Sequence, residues 1–396
     1  MSSTARRWPP ALPPAAPRPT GRLPTGPERL WCFAVEPTTA QLTWSRLGPG
    51  PTPLVLGDRR LVVEADGGPG ALVADGLTPG TTTCAHLAGR RLPVATPTHP
   101  PGRELFRFAT VSDLHLGERA FGYRQTMTEP VAHPDPYPVR AARAALRELA
   151  AWGAELVVVK GDVTAKSQPA EWEVFAKLVA EVGLPLEVLA GNHDTKRSHG
   201  RVGPAEGARR AGLPAPEPFR VVDVPGLRLV LVDTTLGPTH PGTLRRSTEV
   251  VADAAADARR AGRAVWVGAH HHPARLPVPT FWPPGVPSTD AGPFFAALAA
   301  ANRAAFYTAG HTHRNRRYER HGVTVTEVGS PKDWPGTWAG YVVHEGGIRQ
   351  VVRRVGAPDV LTWTDHSAWA AFGSWGLWSP GRLDDRCFSL TWPGRG

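Results

Sequence analysis

Five apolar segments of this chain stop abruptly in side chains able to hold a metal ion, and this repeated punctuation limits its fold more than any other feature. "FRFATVSDLHLG" ends in Asp113 and His115, and "AELVVVKGDVT" in Asp162. "PLEVLAGNHDTK" ends in Asn192, His193 and Asp194, "RAVWVGAHHHPA" in His270, His271 and His272, and "AAFYTAGHTHRN" in His311 and His313. A short continuous apolar run bounded by turn residues is the pattern of a strand buried on both faces. Open α/β sheets collect their ligands outside the carboxyl ends of such strands. One such cluster is adequately explained as a turn, because Gly, Asn and Asp are turn formers. Five in succession between Asp113 and His313 point instead to oxygen and imidazole donors converging on metal ions.

Between these runs lie helical patterns. Residues 139–153 are amphipathic with a Gly stop, 169–183 open with Pro and close with Gly, and 248–262 and a stretch near 292–301 continue the alternation. The segments 316–330 and 338–355 read as hairpins. Strands alternating with helices define an α/β domain, here over residues 104–354, with two packed mixed β-sheets flanked by helices.

The flanking regions differ in texture. Residues 1–27 are rich in Pro and poor in apolar pattern, and predict a disordered tail. From 28 to 98, short partly alternating segments separated by Gly/Pro turns predict a small all-β sandwich. Residues 355–396 hold Trp363, Trp369, Trp375, Trp378 and Trp392. They are expected to pack as a cap on the main domain, a stacking surface for sugars or bases being the alternative. The Pro-rich stretch 279–292 is a candidate wall or lid, and Tyr123, Arg124 and Arg140 are candidate substrate contacts.

Charge and cysteine content bound the function class. Lys and Arg number 45 against 35 Asp and Glu, a net charge of +10, without a dense basic run interleaved with aromatics. This favours small anionic ligands over a nucleic-acid partner. Cys32, Cys84 and Cys387 lack metal-type spacing and suit reduced thiols. Arg6-Arg7 is followed by Pro-rich sequence where an export signal needs an apolar stretch, and no run is long enough to span a membrane. The expected location is the cytoplasm. Oligomeric state has no signature here.

The series D-x-H, G-D, G-N-H-D, H-x-P and G-H-x-H over residues 105–330 resembles the calcineurin-like metallophosphoesterase superfamily, which includes purple acid phosphatases and bacterial cyclic-nucleotide phosphodiesterases. Trp44 with the later "DGLTPGTTT" resembles a fibronectin type III-like module, with Thr83 where an aromatic is usual. The first resemblance implies a dinuclear centre of two divalent or trivalent ions, Mn, Fe or Zn. One ion would take Asp113, His115, Asp162 and His313. The other would share Asp162 and take Asn192, His271 and His311. His271 is selected among the three histidines because it lies two places before Pro273, and alternation along an extended segment would turn His270 and His272 elsewhere. His193 would face the substrate, protonating the leaving oxygen or stabilising charge on phosphorus, and Asp194 would orient a neighbouring imidazole.

The implied reaction is phosphoester hydrolysis by a hydroxide bridging the two ions. A phosphodiesterase acting on a small phosphorylated molecule is the leading expectation. A nuclease of the same superfamily is weakened by the missing basic stripe, and a non-catalytic binding protein by the full ligand set.

Overall fold

The computed structural model describes residues 29–195, 200–237, 239–276 and 282–393. The tail expected over residues 1–27 and residues 279–281 of the candidate lid lie outside them. Seven short strands come first: β1 (Trp31–Val35), β2 (Ala40–Trp44), β3 (Gly50–Leu56), β4 (Arg59–Ala65), β5 (Gly70–Ala74), β6 (Thr82–Leu87) and β7 (Arg90–Ala95). They pair antiparallel in sheets ordered β1-β2-β5 and β4-β3-β6-β7, and Trp44, Leu54, Leu56, Leu87 and Val94 fill the space between. This is the sandwich that the fibronectin type III-like resemblance implies.

The larger part follows the strand–helix alternation. β8 (Glu104–Val111), α1 (Tyr137–Ala151), β9 (Leu156–Lys160), α2 (Pro169–Val182) and β10 (Leu186–Leu189) lead to a short helix, α3 (Pro204–Arg210). Then come β11 (Phe219–Val224), β12 (Leu227–Val232), α4 (Thr248–Arg260), β13 (Ala264–Ala269), α5 (Ser288–Ala301) and β14 (Ala305–Ala309). The hairpins expected from sequence are β15 (Arg316–Arg320) with β16 (Val323–Glu327), and β17 (Thr337–His344) with β18 (Gly347–Arg354). Three helices, α6 (Pro358–Ser367), α7 (Ser374–Trp378) and α8 (Leu383–Arg386), precede the last strand, β19 (Phe388–Thr391).

These strands form two six-stranded mixed sheets, ordered β10-β9-β8-β17-β18-β19 and β11-β12-β13-β14-β16-β15. Phe108, Leu229, Leu231, Trp266, Phe306 and Tyr341 fill the space between the sheets. Helices α1 and α2 cover the outer face of the first sheet, and α4 and α5 that of the second. Because β9, β13 and β14 are buried along their whole length, their only polar outlets are at their ends. No helix among the described residues is long and apolar enough to cross a membrane.

The sandwich is locked onto this body by buried polar contacts. The Gln41 amide donates to the Arg354 carbonyl at 2.7 Å and accepts the Arg354 N–H at 2.8 Å, while Arg386 Nε donates to the Phe33 carbonyl at 2.8 Å. Trp31 meets Trp334 edge to face with ring centroids 5.5 Å apart. Deleting residues 1–98 is therefore expected to strand buried hydrogen-bonding groups at about 1–3 kcal/mol each and to lower Tm by about 10 °C or more. A truncated protein that melts with the full chain in calorimetry would show the contacts to be dispensable.

Candidate metal centre

The centre is assembled where the loops after β8, β9, β10, β13 and β14 meet. Pairing continues past the strands: the Asp113 N–H donates to the Gly161 carbonyl at 3.0 Å, the His115 N–H to the Asp162 carbonyl at 2.9 Å, and the Gly310 N–H to the His270 carbonyl at 3.0 Å. Asp113, His115, Asp162, His311 and His313 all have left-handed φ, between 46° and 67°. Such angles are costly for residues with a Cβ and concentrate at functional sites. Two glycines make the close packing possible. A Cβ on Gly161 would stand 2.7 Å from His270 Nδ1, and one on Gly191 would stand 2.2 Å from Asp162 Oδ1.

Asp162 Oδ2 is the pivot. It lies 3.5 Å from His115 Nε2 on one side and 3.4 Å from His270 Nε2 on the other. His270 Nε2 is also 3.2 Å from Asn192 Oδ1 and 3.2 Å from His311 Nδ1. Donors around one tetrahedral cation at the usual N and O bond lengths stand about 3.4 Å apart, and each of the three spacings from His270 Nε2 is of that size. On the other side His313 Nε2 is 3.5 Å from Asp113 Oδ1, and the donor atoms of Asp113, His115 and His313 lie within 4.8 Å of one another. His115 Nε2 is buried without a hydrogen-bond partner, an orphan acceptor beside a carboxylate, as a metal ligand would be.

Two of the three histidines reach the centre. His271, the expected ligand, keeps an Nε2 that is buried without a hydrogen-bond partner, and beside Asp162 stands His270. Its Nδ1 is fixed by the Lys160 carbonyl, 2.8 Å away at the end of β9, which aims Nε2 inward. Alternation along the segment does operate, but from the end of β13 rather than from Pro273. It turns His271 Nδ1 to Thr234 Oγ1 at 2.8 Å, while His272 lines a separate cleft beside Arg314 and Glu327. His271 still has a ring nitrogen within 4.8 Å of His270 and His311.

The Asp194 carboxylate holds backbone. It accepts from the N–H groups of Gly191 at 2.9 Å, Val163 at 3.2 Å and Thr164 at 2.8 Å, and from the Thr164 hydroxyl at 2.7 Å. It thereby ties the Asp162 loop to the Asn192 loop. The imidazole-orienting carboxylate is Asp333, whose Oδ2 is 2.6 Å from His313 Nδ1. Asp333 also meets Lys332 Nζ at 3.3 Å and the Trp375 indole N–H at 3.3 Å. Neither Asp333 nor Lys332 was expected, since both lie in the connection between β16 and β17 rather than directly at a strand end. Arg140 is a structural ion-pair partner of Glu129 and Asp359, not a lining residue, whereas Tyr123 does line the cleft.

Electrostatics suit cations. Burial drives His115 and His311 well below the usual imidazole range, so both are neutral donors. Burial works against ionisation of Asp162, yet His270, His193 and His115 hold its carboxyl well below the usual range. The same carboxylate outweighs burial at His270 and lifts it to about 9; a cation held at His270 would take the place of that proton. Burial pushes Lys160 down to about 7 and, with the Asp162 charge, Asp194 up to about 7. His193 is half-buried; its N–H donates to Asp162 Oδ1 at 2.8 Å, and its Nδ1 is held by the Ala165 carbonyl at 3.0 Å. The centre opens into a cleft of about 450 Å³ that includes Phe121, Tyr123, Trp282 and Trp375.

Paired cation sites at strand ends, with an imidazole at the mouth, are the equipment of a metal-dependent hydrolase acting on phosphate esters. Residues 106–315, more than half of the chain, match the calcineurin-like phosphoesterase family, and the protein belongs to it. It is similar to a probable cyclic nucleotide phosphodiesterase of Psychrobacter arcticus, with 24% identity over 59% of this chain and 82% of that protein. It is also similar to a 3′,5′-cyclic adenosine monophosphate phosphodiesterase of Pseudomonas aeruginosa, with 28% identity over 40% of this chain and 54% of that protein. Among solved structures, a purple acid phosphatase from yellow lupin seeds aligns at 11% identity and a TM-score of 0.47, over 85% of this chain and 73% of that one.

Proposed function

We propose that the protein hydrolyses a small phosphodiester at a centre of two metal ions, Mn, Fe or Zn. The observation that carries this reading is the placement of Asp162 Oδ2 between His115 and His270, a carboxylate oxygen positioned to be shared. Asp113, His115 and His313 would complete one cation's shell, and Asn192, His270 and His311 the other's. Bound there, the cations supply charge neutralisation for the phosphate and a water acidified toward a pKa of about 7. The residues supply the rest. Asp333 holds the His313 ring in place, and Asp194 fixes the spacing of two ligand loops. The carbonyl of Ala165 requires a hydrogen of His193 on Nδ1 and leaves Nε2 for the substrate; as an imidazolium carrying a second proton on Nε2, His193 would pass that proton to the leaving oxygen and return to the neutral Nδ1–H form. The diester preference draws support from the names of the curated relatives, and the small substrate from the cleft volume.

The test is a panel of bis-p-nitrophenyl phosphate, p-nitrophenyl phosphate, cyclic nucleotides and glycerophosphodiesters on chelated and metal-reloaded protein. Hydrolysis of diesters ahead of monoesters, lost on chelation and restored by manganese, is expected. Full activity in protein shown to be metal-free by elemental analysis would sink the mechanism. A second comparison addresses the ligand register. His270→Ala is expected to lose one cation per chain, and His271→Ala to keep both; the reverse result restores His271 as the ligand.

A further inference from the structure

Resting on the phosphodiester reading, we propose that residues 369–378, together with Trp282 on the facing rim, form a slot that selects phosphoesters bearing a planar aromatic group. Residues 369–378 lie beyond the matched family region while Trp282 lies within it, so one wall of the slot would come from outside the part of the chain that performs the chemistry. The segment is anchored directly to the metal-bearing framework. The Trp363 indole N–H donates to the Lys332 carbonyl at 2.6 Å, that of Trp334 to the Gly376 carbonyl at 3.2 Å, and that of Trp375 to Asp333. The Trp375 ring is 6.3 Å from the His313 ring and meets Phe121 edge to face at 5.9 Å. Ala370 and Ala371 continue this wall with side chains too small to fill the cleft. Across from it Trp282 leans edge-on against His240 at 4.4 Å, and the His240 ring is 6.4 Å from that of His193.

Two features point to an aromatic ligand rather than a charged one. Trp282 and Tyr123 are 71% and 75% exposed at the rim of a polar centre, large flat apolar surfaces whose covering would be favourable. Among the described residues that line the cleft there is no arginine, and its one lysine, Lys332, is already paired with Glu118 at 2.9 Å and with Asp333. The organic part of the substrate therefore meets rings, not cations, and stacking on indole discriminates by flatness.

The experiment measures binding by calorimetry to the manganese-loaded full chain, with three ligands that carry the same phosphate dianion: adenosine 5′-monophosphate, phenyl phosphate and ribose 5-phosphate. The aromatic ligands are expected to bind about tenfold or more tightly than ribose 5-phosphate. Trp282→Ala should erase that difference without altering the ribose 5-phosphate affinity, and Trp282→Phe should keep most of it. A gain for adenosine 5′-monophosphate alone assigns the slot to a nucleobase; a gain for both ligands assigns it to aryl groups in general. Equal affinities for all three in the wild type, or an unchanged preference in Trp282→Ala, overturn the slot while leaving the hydrolase reading intact. Loss of all binding in protein that carries two cations and still hydrolyses bis-p-nitrophenyl phosphate overturns the slot; failure of that protein to hydrolyse any diester overturns the phosphodiester reading itself.

Discussion

Asp162→Asn is expected to lose both cations and to reduce hydrolysis by about 10³-fold or more, beyond the loss from removing a single charge-stabilising donor. The argument rests on how the amide must sit. The His193 N–H already donates to Oδ1 of residue 162, so the carbonyl oxygen of an introduced asparagine takes that position. Its NH₂ group then lands where Oδ2 stood, between His115 and His270, and an N–H donor cannot ligate a cation. The substitution thus preserves shape and loop contacts while inverting the polarity at the one shared atom. Elemental analysis and kcat on the diester substrate read the result. Two cations per chain with near-normal turnover in Asp162→Asn would remove the shared carboxylate from the mechanism.

His193→Ala is expected to keep both cations and lose about 10²–10⁴ in kcat, the usual contribution of a positioned acid. His193 meets Asp162 through its backbone N–H and packs its ring against His115 with centroids 4.5 Å apart; a ring nitrogen also lies within 4.8 Å of donors of His115 and Asp162, so the cation count after truncation separates an acid from a ligand. The loss should be greater for poor leaving groups than for p-nitrophenol esters, which need little protonation. Equal losses on both would assign His193 to stabilising charge at phosphorus. An unchanged kcat would remove it from the chemistry, and a missing cation would make it a ligand.

What was legible in the sequence was local. A buried strand followed by a donor is written in consecutive residues, so the five strand ends, the flanking helices and both terminal hairpins could be located without coordinates. The approach of His270 to Asp162 could not, because it depends on the Lys160 carbonyl, which belongs to a strand of the facing sheet 110 positions away. The contacts of Asp194 were hidden for a similar reason: they are the Thr164 hydroxyl and backbone amides of two loops, and amides carry no sequence signature. Asp333 went unnoticed because its role depends on the approach of His313, twenty positions earlier. Helices α3 and α6 are brief and follow Pro-containing stretches that read equally well as loop. The Trp-rich end divides between both expectations. Trp363 and Trp392 are buried, as in a cap, while Trp369 and Trp378 remain exposed.

Strand order also has a consequence for synthesis. Every proposed ligand has left the ribosome once His313 has emerged, but β8, which aims Asp113 and His115, is bordered in the finished sheet by β17 on one side and β9 on the other. At translation rates of about 5–20 residues per second, the nascent chain carries its entire donor set for several seconds before β17, β18 and β19 are available to complete that sheet. During this interval β8 presents an unpaired apolar edge, the template on which chains join one another. A ribosome that stalls or terminates early in this window therefore releases a chain with every donor present and no completed sheet to aim them, and such fragments should be found in aggregates rather than as metal-loaded soluble protein.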